Sequence, residues 1–278
     1  MKVLFTGSSS FTGYYFLKEI NKNKIKTFAV FSREKKEYKK IFQKEILSSK
    51  MRHIVPCNKV NFGSKKYIDI IKKENINVLC FHHFIVGNLN NKYDFNKNLK
   101  KLLQNIEEVI FQLSLNENSS IIYTSSVYQK ISSSRKYLND KSRINYGYTK
   151  LILSQILKYM CKKYKVKFIN FELQNPIGKF EKENSLPFYI ASSFFNKNKI
   201  KLENPNRIFK YQFIENISKD YVKALINKKN LKSKYKTNSV KGFKEILLNQ
   251  FKDKEINKKK KFFWTEYYKY YEKLNALY

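Results

Sequence analysis

Gly7 and Gly13 constrain this chain more than any other pair of residues. They close a stretch in which Val3, Leu4 and Phe5 read as a short buried strand, Thr6-Gly7-Ser8-Ser9-Ser10 as a small-residue turn, and Phe16, Leu17 and Ile20 as one face of the helix after it. Glycine at position 7 permits the tight turn. A small residue at position 10 and glycine at 13 let the backbone approach a pyrophosphate and let the helix pack on the strand. The phosphates of such a ligand rest on the unpaired N–H groups at the helix N-terminus, where the dipole favours negative charge. Gly7, Ser9, Ser10, Phe11, Thr12 and Gly13 are therefore candidate dinucleotide-binding residues, with Ser10 where the usual fingerprint has its middle glycine. The plain alternative is a Gly-Ser turn between a strand and a helix.

The strand-then-helix pattern repeats along the chain. Lys26 to Phe31 reads as a strand and Arg33 to Leu47 as a charged helix. Ile54 and Val55 mark a weak third strand, followed by a helix near Tyr67 to Lys73. Val78 to Phe81 is a buried strand, and a long helix is expected from Phe95 to Leu113. Ser120 to Tyr123 is the next strand, Tyr146 to Tyr159 a helix, and Val166 to Leu173 the last strand of the series. Such alternation argues for an α/β fold, a doubly wound parallel sheet covered by helices on both faces. Asn175-Pro176 marks the end of regular sheet order, because proline removes a donor and restrains its predecessor. The expected division is a dinucleotide-binding domain over 1–174 and a small, mostly helical C-terminal lobe over 175–278, interleaved with it.

The formal net charge of +35 over 278 residues would ordinarily suggest a polyanion partner. Here the lysines are spread along the whole chain with abundant Asn, Ile, Tyr and Phe, as AT-rich coding would produce, and no recognition motif accompanies them. No specific nucleic-acid partner is expected. Cys57, Cys80 and Cys161 are far apart and odd in number, so neither a disulfide framework nor a zinc site is indicated. Adjacent His82 and His83 project to opposite sides of an extended segment, so no shared metal site is expected. The chain starts directly in its first strand and no apolar run reaches membrane-spanning length, which points to a cytoplasmic protein without a transmembrane segment.

A phenol and an ammonium one helical turn apart can run tyrosine as an acid/base near neutral pH, since a nearby cation favours the phenolate of a group that otherwise titrates near ~10. In a chain this rich in both residues the Tyr-x-x-x-Lys spacing recurs, as in Tyr14/Lys18, Tyr93/Lys97, Tyr137/Lys141 and Tyr159/Lys163. Only Tyr146/Lys150 opens a helix directly after a strand ending in hydroxyls, Tyr123-Thr124-Ser125-Ser126-Val127-Tyr128. Ligands of open parallel sheets bind at the carboxyl ends of the strands, which ranks this pair first.

Together with the strand Val78 to His83, Asn98-Leu99 in the long helix and Asn175-Pro176-Ile177-Gly178, these motifs make residues 1–225 resemble the extended short-chain dehydrogenase/reductases, the NAD(P)-dependent nucleotide-sugar epimerase and dehydratase family. The resemblance implies a Rossmann-like fold with a small substrate lobe. It also implies catalytic roles for Thr124, Tyr146 and Lys150, and contact of Asn175 with both cofactor and substrate. Pro176 and His82 join the implied cofactor site; Ser125, Ser126 and Arg207 join the substrate site. Arg207, or alternatively Lys210, is considered because the phosphate-gripping arginine of the family has no counterpart in Phe213-Ile214-Glu215-Asn216. His82-His83-Phe84 stands where the family commonly has small residues.

An acidic residue after the second strand binds the ribose 2′-hydroxyl of NAD, whereas an arginine accommodates the 2′-phosphate of NADP. Ser32-Arg33 therefore favours NADP, with NAD as the other option, unless Arg33 is only the first solvated residue of a charged helix. In the implied reaction Tyr146 takes the proton of a sugar hydroxyl held by Thr124 while the carbon gives hydride to the cofactor. Dehydratases of the family carry carboxylates beside the catalytic threonine, where this chain has Ser125 and Ser126, so an epimerase or ketoreductase is expected. A non-catalytic dinucleotide-binding sensor or scaffold of the same fold is the alternative. The basic, aromatic run from Lys258 to Trp264, with Tyr267, Tyr271, Leu274 and Tyr278, suits a closing helix first, contact with a second copy in a homodimer next, and a peripheral membrane contact last.

Overall fold

Apolar residues at every position of Val3–Phe5 and Val78–Phe81, rather than at alternate ones, mark the centre of a sheet buried on both faces. The computed structural model describes residues 1–252 apart from 49, 85–92, 132–140, 182–184, 196 and 232–234, so the aromatic stretch after Lys258 lies outside the described residues. Six parallel strands run in the order β3-β2-β1-β4-β5-β6: β1 (Val3–Phe5), β2 (Thr27–Val30), β3 (Ile54–Cys57), β4 (Val78–Phe81), β5 (Ser120–Ser126) and β6 (Lys167–Leu173). The order reverses between β1 and β4, so a crevice opens at their carboxyl ends.

Side chains alternate across this sheet. Leu4, Phe28, Leu79, Phe81, Ile121 and Tyr123 face α3 (Lys65–Glu74), α5 (Ile106–Ser114) and α7 (Lys141–Lys163), which contribute Tyr67, Ile71, Val109, Leu113, Leu153 and Leu157 to one core. On the other side, Phe5 and Phe171 meet α1 (Phe11–Lys22) and α9 (Ile214–Asn227). There Phe16 and Tyr221 stack at 4.0 Å with their rings nearly parallel, and Phe5 and Phe171 pack edge-on against Phe16 at 6.5 and 6.1 Å. Such aromatic burial supplies several kcal/mol per ring, far more than any surface pair of this lysine-rich chain.

The elements depart from the sequence expectation at three helices. The helix expected over 33–47 is a short 3₁₀ turn, Lys35–Glu37, and a separate α2 (Ile41–Ile46). Tyr38 between them is extended and buried, its hydroxyl accepting the Arg33 N–H at 3.0 Å. The helix expected over 95–113 breaks into α4 (Phe95–Leu102) and α5 at Asn105, which adopts a left-handed backbone (φ 48°) and donates its side-chain amide to the Gly63 carbonyl at 2.8 Å. Asparagine tolerates that conformation better than most residues. A single turn, α6 (Tyr128–Ile131), follows β5, and helix α7 begins by Lys141, so Tyr146 does not open it.

Two compact units divide the chain, Met1–Leu173 with Ile217–Ser233, and Gln174–Asn216 with the described residues after 234. The second carries its own sheet. β7 (Asn175–Ile177) pairs in parallel with β8 (Ile208–Phe213), which pairs antiparallel with β9 (Lys236–Ser239). Helices α8 (Leu186–Phe195) and α10 (Val240–Lys252) close a core of Ile177, Ile190, Phe209, Tyr211, Phe243 and Leu247. Asn175-Pro176 thus does not end sheet order; it starts a strand at a sheet edge, where a missing N–H is tolerated. Among the described residues no helix is long and apolar enough to cross a membrane, and no cluster of His, Cys, Asp and Glu could hold a metal ion.

The β1–α1 turn leaves no room for a methyl group at Gly13, where a Cβ would lie 2.4 Å from the Gly7 carbonyl oxygen and 2.8 Å from Ser10 Oγ. Gly→Ala in a helix ordinarily stabilises by about 0.4–1 kcal/mol through chain entropy. Gly13→Ala should instead destabilise by about 1–3 kcal/mol, because crowding outweighs that gain. Urea unfolding checks it, and a midpoint equal to or above that of the parent chain would show that the turn can relax.

Candidate active site

All the functional residues expected in the first unit except Phe11 and Gly13 line one cavity of about 850 Å³ at the carboxyl ends of the strands. Gly7 sits at its floor with φ +77° and no space for a side chain: a Cβ would lie 2.9–3.0 Å from the His82–His83 backbone. Ser10 is the N-cap of α1. Its Oγ accepts the Gly13 N–H and donates to the Gly7 carbonyl, each at 2.9 Å. The serine in the middle-glycine position therefore ties off one helix-end donor. The Phe11 and Thr12 N–H groups have no partner among the described residues, so the turn keeps an anion-accepting end.

His82, at the end of β4, spans the cavity floor. Its Nε2 lies 2.8 Å from Thr12 Oγ1 and 3.3 Å from Ser10 Oγ, while its Nδ1 lies 3.0 Å from Thr124 Oγ1. His83 turns the other way, placing Nδ1 3.0 Å from Thr6 Oγ1 and its ring against Phe62 and Phe81 at 4.8 and 4.5 Å. Burial first, and then the Lys150 cation, push both imidazoles down to about 3, so both rings are neutral at physiological pH.

Lys150 is fully buried. Its Nζ donates to the Thr124 carbonyl at 2.7 Å and lies over the Phe84 and Tyr123 rings at 4.2 and 5.1 Å. Burial lowers it to about 7. Tyr123 fixes the backbone beneath, donating its hydroxyl to the Lys150 carbonyl at 2.9 Å. Tyr146, one turn earlier on α7, is ringed by Phe84, Tyr128 and Tyr93 at 5.0, 5.8 and 6.1 Å. Burial raises its phenol above the usual value. The Ser126 hydroxyl, within hydrogen-bonding reach, counters this by favouring the phenolate, and Tyr93 and Tyr128 oppose it.

The expected trio of Thr124, Tyr146 and Lys150 therefore shares the cavity, but with a different division of contacts. The Thr124 hydroxyl is engaged by His82, and only its carbonyl faces Lys150; Ser126 is the hydroxyl beside Tyr146. Ser125 lines the cavity and directs its Oγ toward the Phe171 carbonyl at 3.4 Å. Ser9 lines the cavity, with its carbonyl held by the Gln43 amide at 2.9 Å. Phe11 packs on Tyr15 at 5.5 Å and Gly13 lies behind the turn, neither on the cavity wall.

Ser32 and Arg33 edge the cavity at the end of β2, both exposed. The neighbouring Glu34 is engaged by Lys36 at 3.3 Å and by Lys59. Asn175, Pro176 and Arg207 belong to the second unit, where the Asn175 amide donates to the Lys210 carbonyl at 2.7 Å and Arg207 is exposed before β8. The sequence reading missed the opposite wall. Asn61 and Ser64 come from the loop after β3, and Lys101 and Gln104 from the α4–α5 corner; the Asn105 turn signal was there to be read. Arg33, Lys101 and Lys150 line the cavity, and no Asp or Glu does among the described residues, so the wall favours anions.

No curated protein sequence matches the chain. Solved structures similar in fold include a UDP-glucose 4-epimerase with UDP-glucose from Thermotoga maritima, at 11% identity and a TM-score of 0.70, covering 92% of this chain and 84% of that one. A UDP-N-acetylglucosamine 4-epimerase from Bacillus cereus matches at 16% identity and a TM-score of 0.67, over 92% and 83%. A dTDP-glucose 4,6-dehydratase from Streptomyces venezuelae matches at 9% identity and 0.69, over 91% and 81%. The family model described as "NAD dependent epimerase/dehydratase family" matches residues 3–234. With its six-stranded Rossmann-like sheet and a family match over most of its length, the chain belongs to the NAD-dependent epimerase/dehydratase family.

Proposed function

We propose that this chain is an NAD(P)-dependent epimerase or ketoreductase acting at a carbinol carbon of a sugar, one carried on a nucleotide. The observation that carries the reading is one cavity, lined by no carboxylate among the described residues, that joins the β1–α1 turn to Tyr146, Ser126 and Lys150. The free α1 N–H groups and the cationic wall fit a pyrophosphate. A bound nicotinamide dinucleotide supplies the acceptor of hydride from the sugar carbon. Tyr146 Oη takes the proton of the sugar hydroxyl, and Ser126 Oγ holds that hydroxyl and steadies the phenolate. Ser126 replaces Thr124 in this role because His82 occupies the Thr124 hydroxyl. Lys150 provides the positive charge that favours the phenolate once an anionic ligand restores its proton. Water elimination needs an acid/base pair at the sugar, and no carboxylate lines the described wall, which favours epimerisation or redox over dehydration.

For the 2′-position of the cofactor we propose NADP preference through Arg33. Its backbone is pinned by Tyr38 and Lys59, and the nearest carboxylate, Glu34, is drawn to two lysines.

Incubation with UDP- and dTDP-sugars, followed by mass spectrometry, should show product mass unchanged or shifted by two hydrogens; loss of water would overturn the epimerase or reductase assignment. Tyr146→Phe should lower kcat by about 10²–10⁴-fold and leave dinucleotide affinity near that of the parent chain. Ser126→Ala should lower kcat by about ten- to a hundredfold, the worth of one hydrogen bond to a developing anion. Full activity in either variant would remove the assignment.

Arg33→Ala should weaken NADP by about tenfold or more and leave NAD unaffected, since only the 2′-phosphate offers a guanidinium its bidentate partner. Calorimetric titration of both cofactors decides this, and equal affinities that ignore the substitution would make Arg33 a solvated surface residue.

Dinucleotide binding should also depend on pH. In the free protein burial pushes Lys150 down to about 7, and the negative charge of a dinucleotide bound in the same cavity would raise that value. The complex then holds more protons than the free protein above pH 7, so affinity falls as pH rises from 7 toward 9, by up to about tenfold per unit. Lys150→Met should flatten the profile; a flat profile in the parent chain would show that Lys150 does not sense the phosphates.

A further inference from the structure

We infer that His82 is a positioning residue that couples the α1 end of the cavity to the Thr124 anchor of Lys150, so that dinucleotide affinity depends on an imidazole bridge between two hydroxyls. This rests on the cavity being the dinucleotide site proposed above. The ring uses both nitrogens, one on Thr12 with Ser10 close by, the other on Thr124. It is clamped between Phe5 and Phe16 at 5.6 and 5.0 Å, and its backbone N–H is held by Thr6 Oγ1 at 3.0 Å. Being neutral, it offers one donor and one acceptor; with the Ser10 proton already given to Gly7, Nε2 is the donor end and Nδ1 accepts from Thr124.

The bridge also accounts for Ser10. A hydroxyl there already accepts the Gly13 N–H and donates to Gly7, and its second lone pair faces the imidazole. Serine at the middle position and histidine after β4 form one polar seam where a ring and a hydroxyl satisfy each other. At its far end Thr124 holds His82 through its side chain and the Lys150 ammonium through its carbonyl. Moving Thr124 therefore moves the Lys150 ammonium in the same cavity.

Calorimetric titration of NADP and NAD into the full chain tests this. His82→Ala should weaken the dinucleotide by about ten- to a hundredfold, the worth of one or two buried hydrogen bonds. Added imidazole should restore most of the loss, whereas 1-methylimidazole should not, because its methyl group blocks one of the two nitrogens while keeping the ring's bulk. Affinity within twofold of the parent chain, or equal rescue by both compounds, would overturn the bridge. If His82→Ala does not fold, Thr12→Val and Thr124→Val carry the test: a double variant no weaker than the worse single one supports coupling, and additive losses overturn it. A parent chain that binds neither dinucleotide would overturn the cavity reading and this inference with it, whereas parent binding with an indifferent His82→Ala overturns the inference alone.

Discussion

The Gly7 carbonyl oxygen is the point on which the rest of the site depends. It accepts the Ser10 N–H at 3.1 Å and the Ser10 hydroxyl at 2.9 Å, and α1 approaches it so closely that position 13 admits only hydrogen on Cα. On its other side, Gly7 lies against the backbone of His82 and His83. Strand β1, helix α1 and the end of β4 are thus locked together by backbone contacts, which side-chain motion cannot loosen. The helix N-terminus is aimed into the crevice because the chain has no other way to leave β1 at that distance.

Around this fixed point the two faces of the sheet do different work. On the α1 side, aromatic rings carry the burial, and His82 and Thr124 put polar groups among them that satisfy one another. The α7 side buries an ammonium under rings and a carbonyl, at a cost in charge stability that a neighbouring carboxylate would have relieved. The absence of carboxylates from the described wall leaves that cost to be offset by a ligand. Ground-state strain of this kind is common where a group must change its charge during function.

Much of this was legible in the sequence because it is local. The β1–α1 turn and the succession of strands and helices along the chain follow from spacing, and Tyr146 and Lys150, singled out from five such pairs, both line the cavity. The misjudged helices fail for identifiable reasons. Tyr38 is drawn into the core and extends the chain between Lys35–Glu37 and α2, and Asn105 turns the chain where periodicity alone continues α4 into α5. That Ser126 lies beside Tyr146 while the Thr124 hydroxyl meets His82 was out of reach, since it depends on how β5 ends beside α7 and on an imidazole more than forty residues away. Adjacent His82 and His83 do diverge as a strand requires, yet nothing in their local sequence names Thr12 and Thr124 as partners.

A wall without carboxylates among the described residues has a kinetic side as well. At physiological ionic strength electrostatic fields decay over about 8 Å, so lysines scattered over the outer surface add little direction to an approaching anion. Charges set in a low-dielectric crevice are screened far less and focus the field at its mouth. Arg33 and Lys101 at the wall can therefore guide a phosphate-bearing molecule through the last nanometre of its encounter. The same focusing gathers small inorganic anions at the mouth, where they compete with any larger anion for entry.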